Sequence, residues 1–215
     1  MNFIRRFFVL KKVHVDNGLF LFSKNTEVTM GKGAKIIVRN GIFRVGFSMS
    51  DSNPFPHFLS TKIHLAENSI LEINGDVNIG PGSAIILNKD STMKFGGSNA
   101  IAHNNLFYCF KKIEFGYNSC SSWSCQFMDS DGHTLFSSKN GGRLIKPIYR
   151  PLIIGDHVGF QMNVSIPRGV VIGNNSLISS HVVVKNDVPE DSLVILQQDL
   201  KIKKGIMTPY GKETE

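Results

Sequence analysis

A disulfide framework is the first thing this sequence lacks. Its three cysteines, Cys109, Cys120 and Cys125, are an odd number in a chain of 215 residues, too few to staple a small secreted fold. Cys120 and Cys125 also lack the close pairing of a zinc site, and a reducing compartment is the simpler inference. Tryptophan is almost missing, with Trp123 alone. No long apolar run follows the positive charges of residues 1–12, MNFIRRFFVLKK, so this segment reads as neither a secretory signal nor a membrane span. Two readings remain for it: a short basic segment lying on an anionic membrane surface, or a cap in which Phe3, Ile4, Phe7 and Phe8 cover the end of the domain. Charged residues are sparse at 19%. No Lys/Arg stretch is interleaved with aromatics, which sets nucleic acid aside as a partner.

What is present is glycine, asparagine and a strict period. Twenty glycines point to many tight turns, and a hydrophobic content of 41% is that of a folded protein. The formal charge of +7 leaves room for an acidic partner such as an anionic polysaccharide or the phosphates of a cofactor. Stepping by six from Ile154 gives Phe160, Ile166, Ile172, Ile178 and Val184, all large and apolar. A companion series runs Val158, Val164, Val170, Ser176, Val182 and Val188. An α-helix cannot produce this, because its apolar face recurs at three and four. A short strand with two inward residues, closed by a tight polar corner, can. Such units bury nothing alone and must stack, coil on coil, around one aliphatic column.

Upstream, Ile63, Leu71, Ile79, Leu87 and Phe95 recur at a step of eight, which fits the same scheme with longer corners or a β-meander. Phe115, Ser121 and Phe127 return to six, with Ser119 and Cys125 in the companion inward series. The register breaks between Phe127 and Ile154, and the intervening stretch rich in Ser, Gly, Lys, Arg and Pro, about 134–151, reads as a loop thrown out of the coils. The expected organisation is an N-terminal cap and irregular first coils over 1–60, a β-helix over 61–195, and a tail over 196–215.

Two segments carry a resemblance. Ser122-Trp123-Ser124-Cys125-Gln126-Phe127-Met128-Asp129-Ser130-Asp131-Gly132-His133 is similar to the Ser-Trp…Gln-Ile-Met-Asp-x-Asp-x-His signature of the hexapeptide-repeat acetyltransferases, in particular those that O-acetylate capsular polysaccharide or lipopolysaccharide. The run from Pro151 through Gly155-Asp156-His157-Val158 and Gly169–Ser176 to Asp187-Val188-Pro189 resembles the C-terminal coils of the same family. The resemblance implies an all-β, left-handed parallel β-helix with an excursion loop and capping segments. It further implies a homotrimer, with acetyl-CoA in the groove between subunits. The acceptor implied is a carbohydrate hydroxyl of a bacterial surface glycan, and the location is the cytoplasm or the inner face of the inner membrane.

It also implies roles. His133 is the expected general base, and Asp131 or Asp129 the group that orients its ring, with Asp131 continuing the inward series from Cys125. Ser179 and Ser180 stand where the family's small residues approach the pantetheine arm; Lys185 is a candidate contact for the cofactor's phosphates, and Trp123 for stacking on the acceptor sugar or the cofactor, or for packing at the trimer interface. Gly159 replaces a family tryptophan. Other readings stay open: N-acetylation of an amino sugar by the same base, or a non-catalytic trimeric scaffold. A zinc hydratase of the same fold needs three converging imidazoles. His133, His157 and His181 are evenly spaced in sequence, but four hexapeptides put them on different faces, so no metal is expected.

Overall fold

The computed structural model describes residues 13–48, 59–133, 136–144 and 149–197. The chain winds through three parallel sheets of seven, eight and six strands, visited always in the order first, second, third face. Lys112–Phe115, Cys120–Ser121 and Gln126–Met128 make one circuit. Leu152–Ile154, Gly159–Phe160 and Ser165–Ile166 make the next. Each strand pairs in parallel with those directly above and below it. This is the stacked parallel β-helix expected from the repeat, with the left hand that the resemblance implied. The parallel pairing of Ile70–Asn74 with Thr92–Phe95 removes the meander reading of the upstream half.

Side-chain alternation explains the strands. Ala84–Leu87, Thr92–Phe95 and Leu106–Cys109 each bury their second and fourth residues and turn the others outward, as a pleated strand must. The step of eight is also explained, because Ile63, Leu71 and Ile79 are buried on the third, first and second faces in turn. The corners then shorten. Side chains stacked on one another across neighbouring coils are 22 residues apart at Asn68 and Asp90, 20 at Asn104 and Ser124, 18 at Asp156 and Asn174, and 16 at Asn175 and Asp191. A coil of 18 is three hexapeptides, which is why the period of six runs through successive coils from Ile154.

The corners account for the asparagines. Asn68, Asp90, Asn104, Asn118, Asn163 and Asn175 all have positive φ, between 53° and 61°, a conformation in which a short polar side chain is tolerated far better than a branched one. Inside, Phe127 packs against Phe107, Phe115 and Phe160 with ring centroids 4.9–5.1 Å apart. Full burial of each such ring contributes roughly 1.5–3 kcal/mol. Ser119 and Cys125 are fully buried, as the inward series requires.

Two places interrupt the winding. Between Phe127 and Ile166, which pair on the third face, the chain leaves the coil at Ser130 and returns at Tyr149. Phe136–Ser137 and Arg143–Leu144 form an antiparallel hairpin within this excursion, which runs between Ser130 and Tyr149 where the sequence suggested about 134–151. A second insertion was not expected. Thr29 and His64 are stacked neighbours 35 residues apart, so the coil between them carries an extra segment between Ile42–Val45 and Thr61–Leu65. Regular strands already begin at Val13–Asp16 and pair with Lys35–Arg39, and the Gly31-Lys32-Gly33-Ala34 stretch is an ordinary corner between Thr26–Met30 and Lys35–Arg39. The cap or membrane readings of residues 1–12, and most of the tail, lie outside the described residues.

Candidate active site

The excursion departs from the corner between the third and first faces, and Asp129 is its root. Asp129 is fully buried. One carboxylate oxygen accepts the Phe110 N–H, and the other accepts the N–H groups of Lys111 and Lys112, each at 2.6 Å. Three successive amides of the preceding coil thus converge on one anion, a nest that oriented backbone dipoles make favourable. The Cys109 thiol lies 3.8 Å from the same carboxylate. Burial first, and the Asp129 charge second, push that thiol far above its ordinary value. The Asp129 carbonyl accepts the Arg150 N–H at 2.8 Å, and Ser130 pairs antiparallel with Tyr149. Exit and return are therefore fastened at a single point.

Beyond that root the chain turns outward. The Ser130 hydroxyl accepts the Gly132 N–H at 3.1 Å, and Gly132 takes a left-handed φ of 73° that a side chain would resist. The turn delivers His133 to solvent. Asp131 is exposed as well, against the expectation that it continues the inward series. The coil's register stops at Asp129 and Ser130, so Asp131 belongs to the excursion. Its carboxylate accepts from Arg168 Nε at 2.6 Å. Among the described residues neither Asp129 nor Asp131 hydrogen-bonds the His133 ring.

The other expected residues fall into two groups. Lys185 is exposed on the same corner as the excursion, between Val183, which bridges to Ser165 on the third face, and Val188, which bridges to Ile172 on the first. Trp123 and the pair Ser179 and Ser180 lie instead along the corner between the second and third faces. Trp123 is half-buried in the turn, and its carbonyl accepts the Asn163 N–H at 2.9 Å. One coil further, Gln161 Oε1 accepts both the N–H and the hydroxyl of Ser180, at 3.1 and 3.2 Å. Ser122, Ser179 and Ser180 are all small and half-buried, with the longer Gln161 on the coil between Ser122 and Ser179.

The three histidines in the zinc comparison occupy three separate places. His157 and His181 sit at left-handed corner positions, with φ of 57° and 64°. The His157 ring is 3.1 Å from the Asn118 side chain, and the His181 N–H donates to the Met162 carbonyl, so each belongs to a different stack. No group of His, Cys, Asp or Glu placed to hold a metal ion occurs among the described residues. The buried thiol Cys125 is poorly suited to covalent catalysis: burial pushes it up to about 11, which keeps it in the unreactive thiol form; desolvation raises the Cys120 thiol too, but that residue is exposed. A groove of about 590 Å³ lies on the first face against Ile153, Val171, Val188 and Pro189, and His133 is not among the residues that line it.

Sequence reasoning missed Arg168, Gln161 and the amide nest around Asp129. Arg168 had a visible cue in Pro167-Arg168-Gly169, a corner fixed by proline and by a glycine at φ 74°. The nest had none, because its donors are backbone.

No protein-family model matches the chain. It is similar to a probable acetyltransferase of Mycobacterium tuberculosis, 29% identical over 129 residues, covering 58% of this chain and 41% of that protein. A shorter match, 42% over 52 residues, is to the bifunctional protein GlmU of Methanococcus maripaludis, covering 24% of this chain and 13% of that one. The chain thus spans less than half the length of either curated relative. Among solved structures, the polysialic acid O-acetyltransferase OatWY superposes with a TM-score of 0.49 at 20% identity, covering 91% of this chain and 93% of that one.

Proposed function

We propose that this chain, whose repeat and Asp-x-Asp-x-His segment resemble those of the hexapeptide-repeat acetyltransferases, transfers acetyl from acetyl-CoA to a hydroxyl of a bacterial surface polysaccharide, capsule or lipopolysaccharide, or its precursor. The observation that carries this reading is the position of His133: an exposed imidazole on an excursion rooted in a rigid corner. A sugar hydroxyl is a poor nucleophile at neutral pH, and a nearby imidazole makes it competent by taking its proton. Acetyl-CoA, when bound, supplies the activated carbonyl carbon. His133 removes the hydroxyl proton as the sugar oxygen bonds to that carbon, the carbon–sulfur bond breaks, and the imidazolium returns the proton to the departing thiolate.

The separation of the two corners supports a site completed by a neighbouring copy. His133, Asp131 and Lys185 lie on one corner of the chain, and Trp123, Ser179 and Ser180 on another. We read the working groove as lying between neighbouring copies of a homotrimer, with one corner from each. Lys185 then faces the phosphates of acetyl-CoA, Ser179 and Ser180 its pantetheine arm, and Trp123 the acceptor. Three free cysteines agree with a reducing, cytoplasmic setting. No helix among the described residues is long and apolar enough to cross a membrane.

Incubation with radiolabelled acetyl-CoA and purified capsule and lipopolysaccharide fractions tests the proposal. Label on the glycan that mild alkali removes establishes an O-ester. Alkali-stable label points to N-acetylation of an amino sugar. Failure to bind acetyl-CoA at all leaves the scaffold reading in its place.

A further inference from the structure

We propose that Arg168 is a positioning residue for His133, acting through its ion pair with Asp131; the inference rests on His133 being the base. Among the described residues, little holds the path from Ser130 to His133. Gly132 has no atom within 4 Å of where a side chain would begin, and the Gly132 N–H is satisfied only locally, by Ser130. The amide nest fixes Asp129 from the coil above, two residues before the free part starts.

Arg168 supplies the missing constraint from the coil below. It is 37 residues away in sequence, and its Nε donates to Asp131 at 2.6 Å. The donor is itself placed rigidly. Pro167 fixes φ on one side, and Gly169 at φ 74° closes the corner on the other. Gly169 also accommodates the Arg150 stem, since a Cβ there would come within 2.7 Å of Arg150 Cδ, and the Gly169 N–H donates to the Arg150 carbonyl at 3.2 Å. The returning strand and the corner bearing Arg168 are therefore one unit. A segment held at Asp129 from one neighbouring coil and at Asp131 from the other loses freedom that a free excursion would keep, and small displacements of a reacting group are costly. The pair is partly exposed, with side-chain exposures of 26% and 41%, so salt screens it and its grip weakens at high ionic strength.

The test uses the full chain as Arg168→Gln, Asp131→Asn and the reversed pair Asp131→Arg with Arg168→Asp. Amide exchange over 130–133 reads the constraint without any acceptor. Each single variant should accelerate it about tenfold while the strands at 126–128 and 152–154 keep their rates, and the reversed pair should restore it. Thiol release from acetyl-CoA, with polysialic acid as the probe acceptor, reads the consequence. In the single variants kcat should fall about tenfold with KM for acetyl-CoA within about twofold, and the reversed pair should recover kcat. Unchanged exchange in the single variants overturns the proposal. So does a raised KM for acetyl-CoA at constant kcat, which would make Arg168 a ligand of the cofactor. A His133→Ala chain that still releases thiol at the normal rate defeats the base assignment instead, and the exchange data report on the Arg168 clamp separately.

Discussion

Replacing Asp129 with asparagine removes one charge and changes one atom, yet the consequence should be large. The carboxylate accepts three backbone N–H groups at 2.6 Å, two on one oxygen and one on the other. Hydrogen bonds to a charged partner contribute about 1.5–3 kcal/mol each, and neutral ones about half that. With its single oxygen in the doubly bonded position, asparagine keeps two weakened bonds and turns its NH2 toward the Phe110 N–H. The rearrangement cannot be evaded by removing the partners, because the donors are main chain. The sum is a loss of about 3–5 kcal/mol, or roughly 10 °C in Tm for a chain of this size. Thermal and urea unfolding at one fixed protein concentration measure it, with exchange at the Phe110, Lys111 and Lys112 amides as the local readout. A variant within about 1 kcal/mol of wild type, with those amides still protected, would refute the view that this anion anchors the excursion.

The remaining predictions concern the core, a corner and the thiols. Phe127→Ala should cost about 3–5 kcal/mol in chemical denaturation, because three other phenylalanine rings close around it. Gly169→Ala combines a left-handed φ of 74° with a Cβ 2.7 Å from the Arg150 side chain, and should cost about 1–3 kcal/mol in the same assay. At pH 8, iodoacetamide should modify the exposed Cys120 and spare the buried Cys109 and Cys125, read by mass spectrometry of the native protein. The Cys125 thiol is raised in the fold from 9.0 to about 11. The unfolded chain therefore gives up its proton first, and this contribution to stability, present below pH 9, declines as pH rises toward 11. Denaturation midpoints across that range in wild type and Cys125→Ala report it as a difference in slope.

The winding was legible because it is periodic. Ile154, Phe160, Ile166 and Ile172 reveal the faces directly, and Ser119 and Cys125 fall inside as their positions demand. The break after Phe127 located the excursion. The taper from 22 to 16 residues per coil was hidden, since each corner shortens on its own, and the insertion before Thr61 produced no break that irregular first coils would not also produce. The site was read less well than the fold. Asp129, Asp131 and His133 stand together in sequence and part in space: one plunges into an amide nest, one pairs with Arg168, and one reaches solvent. What separates them is contact with coils 17 to 37 residues distant, and a local motif carries no record of that.

The most direct measurement is thiol release from acetyl-CoA by the wild-type chain and by His133→Ala, offered a panel of acidic and neutral bacterial glycans. Release that requires both a glycan and His133, with the variant lower by about a thousandfold, is the expected result. Release that is unchanged in His133→Ala, or no binding of acetyl-CoA by the wild-type chain, would contradict it.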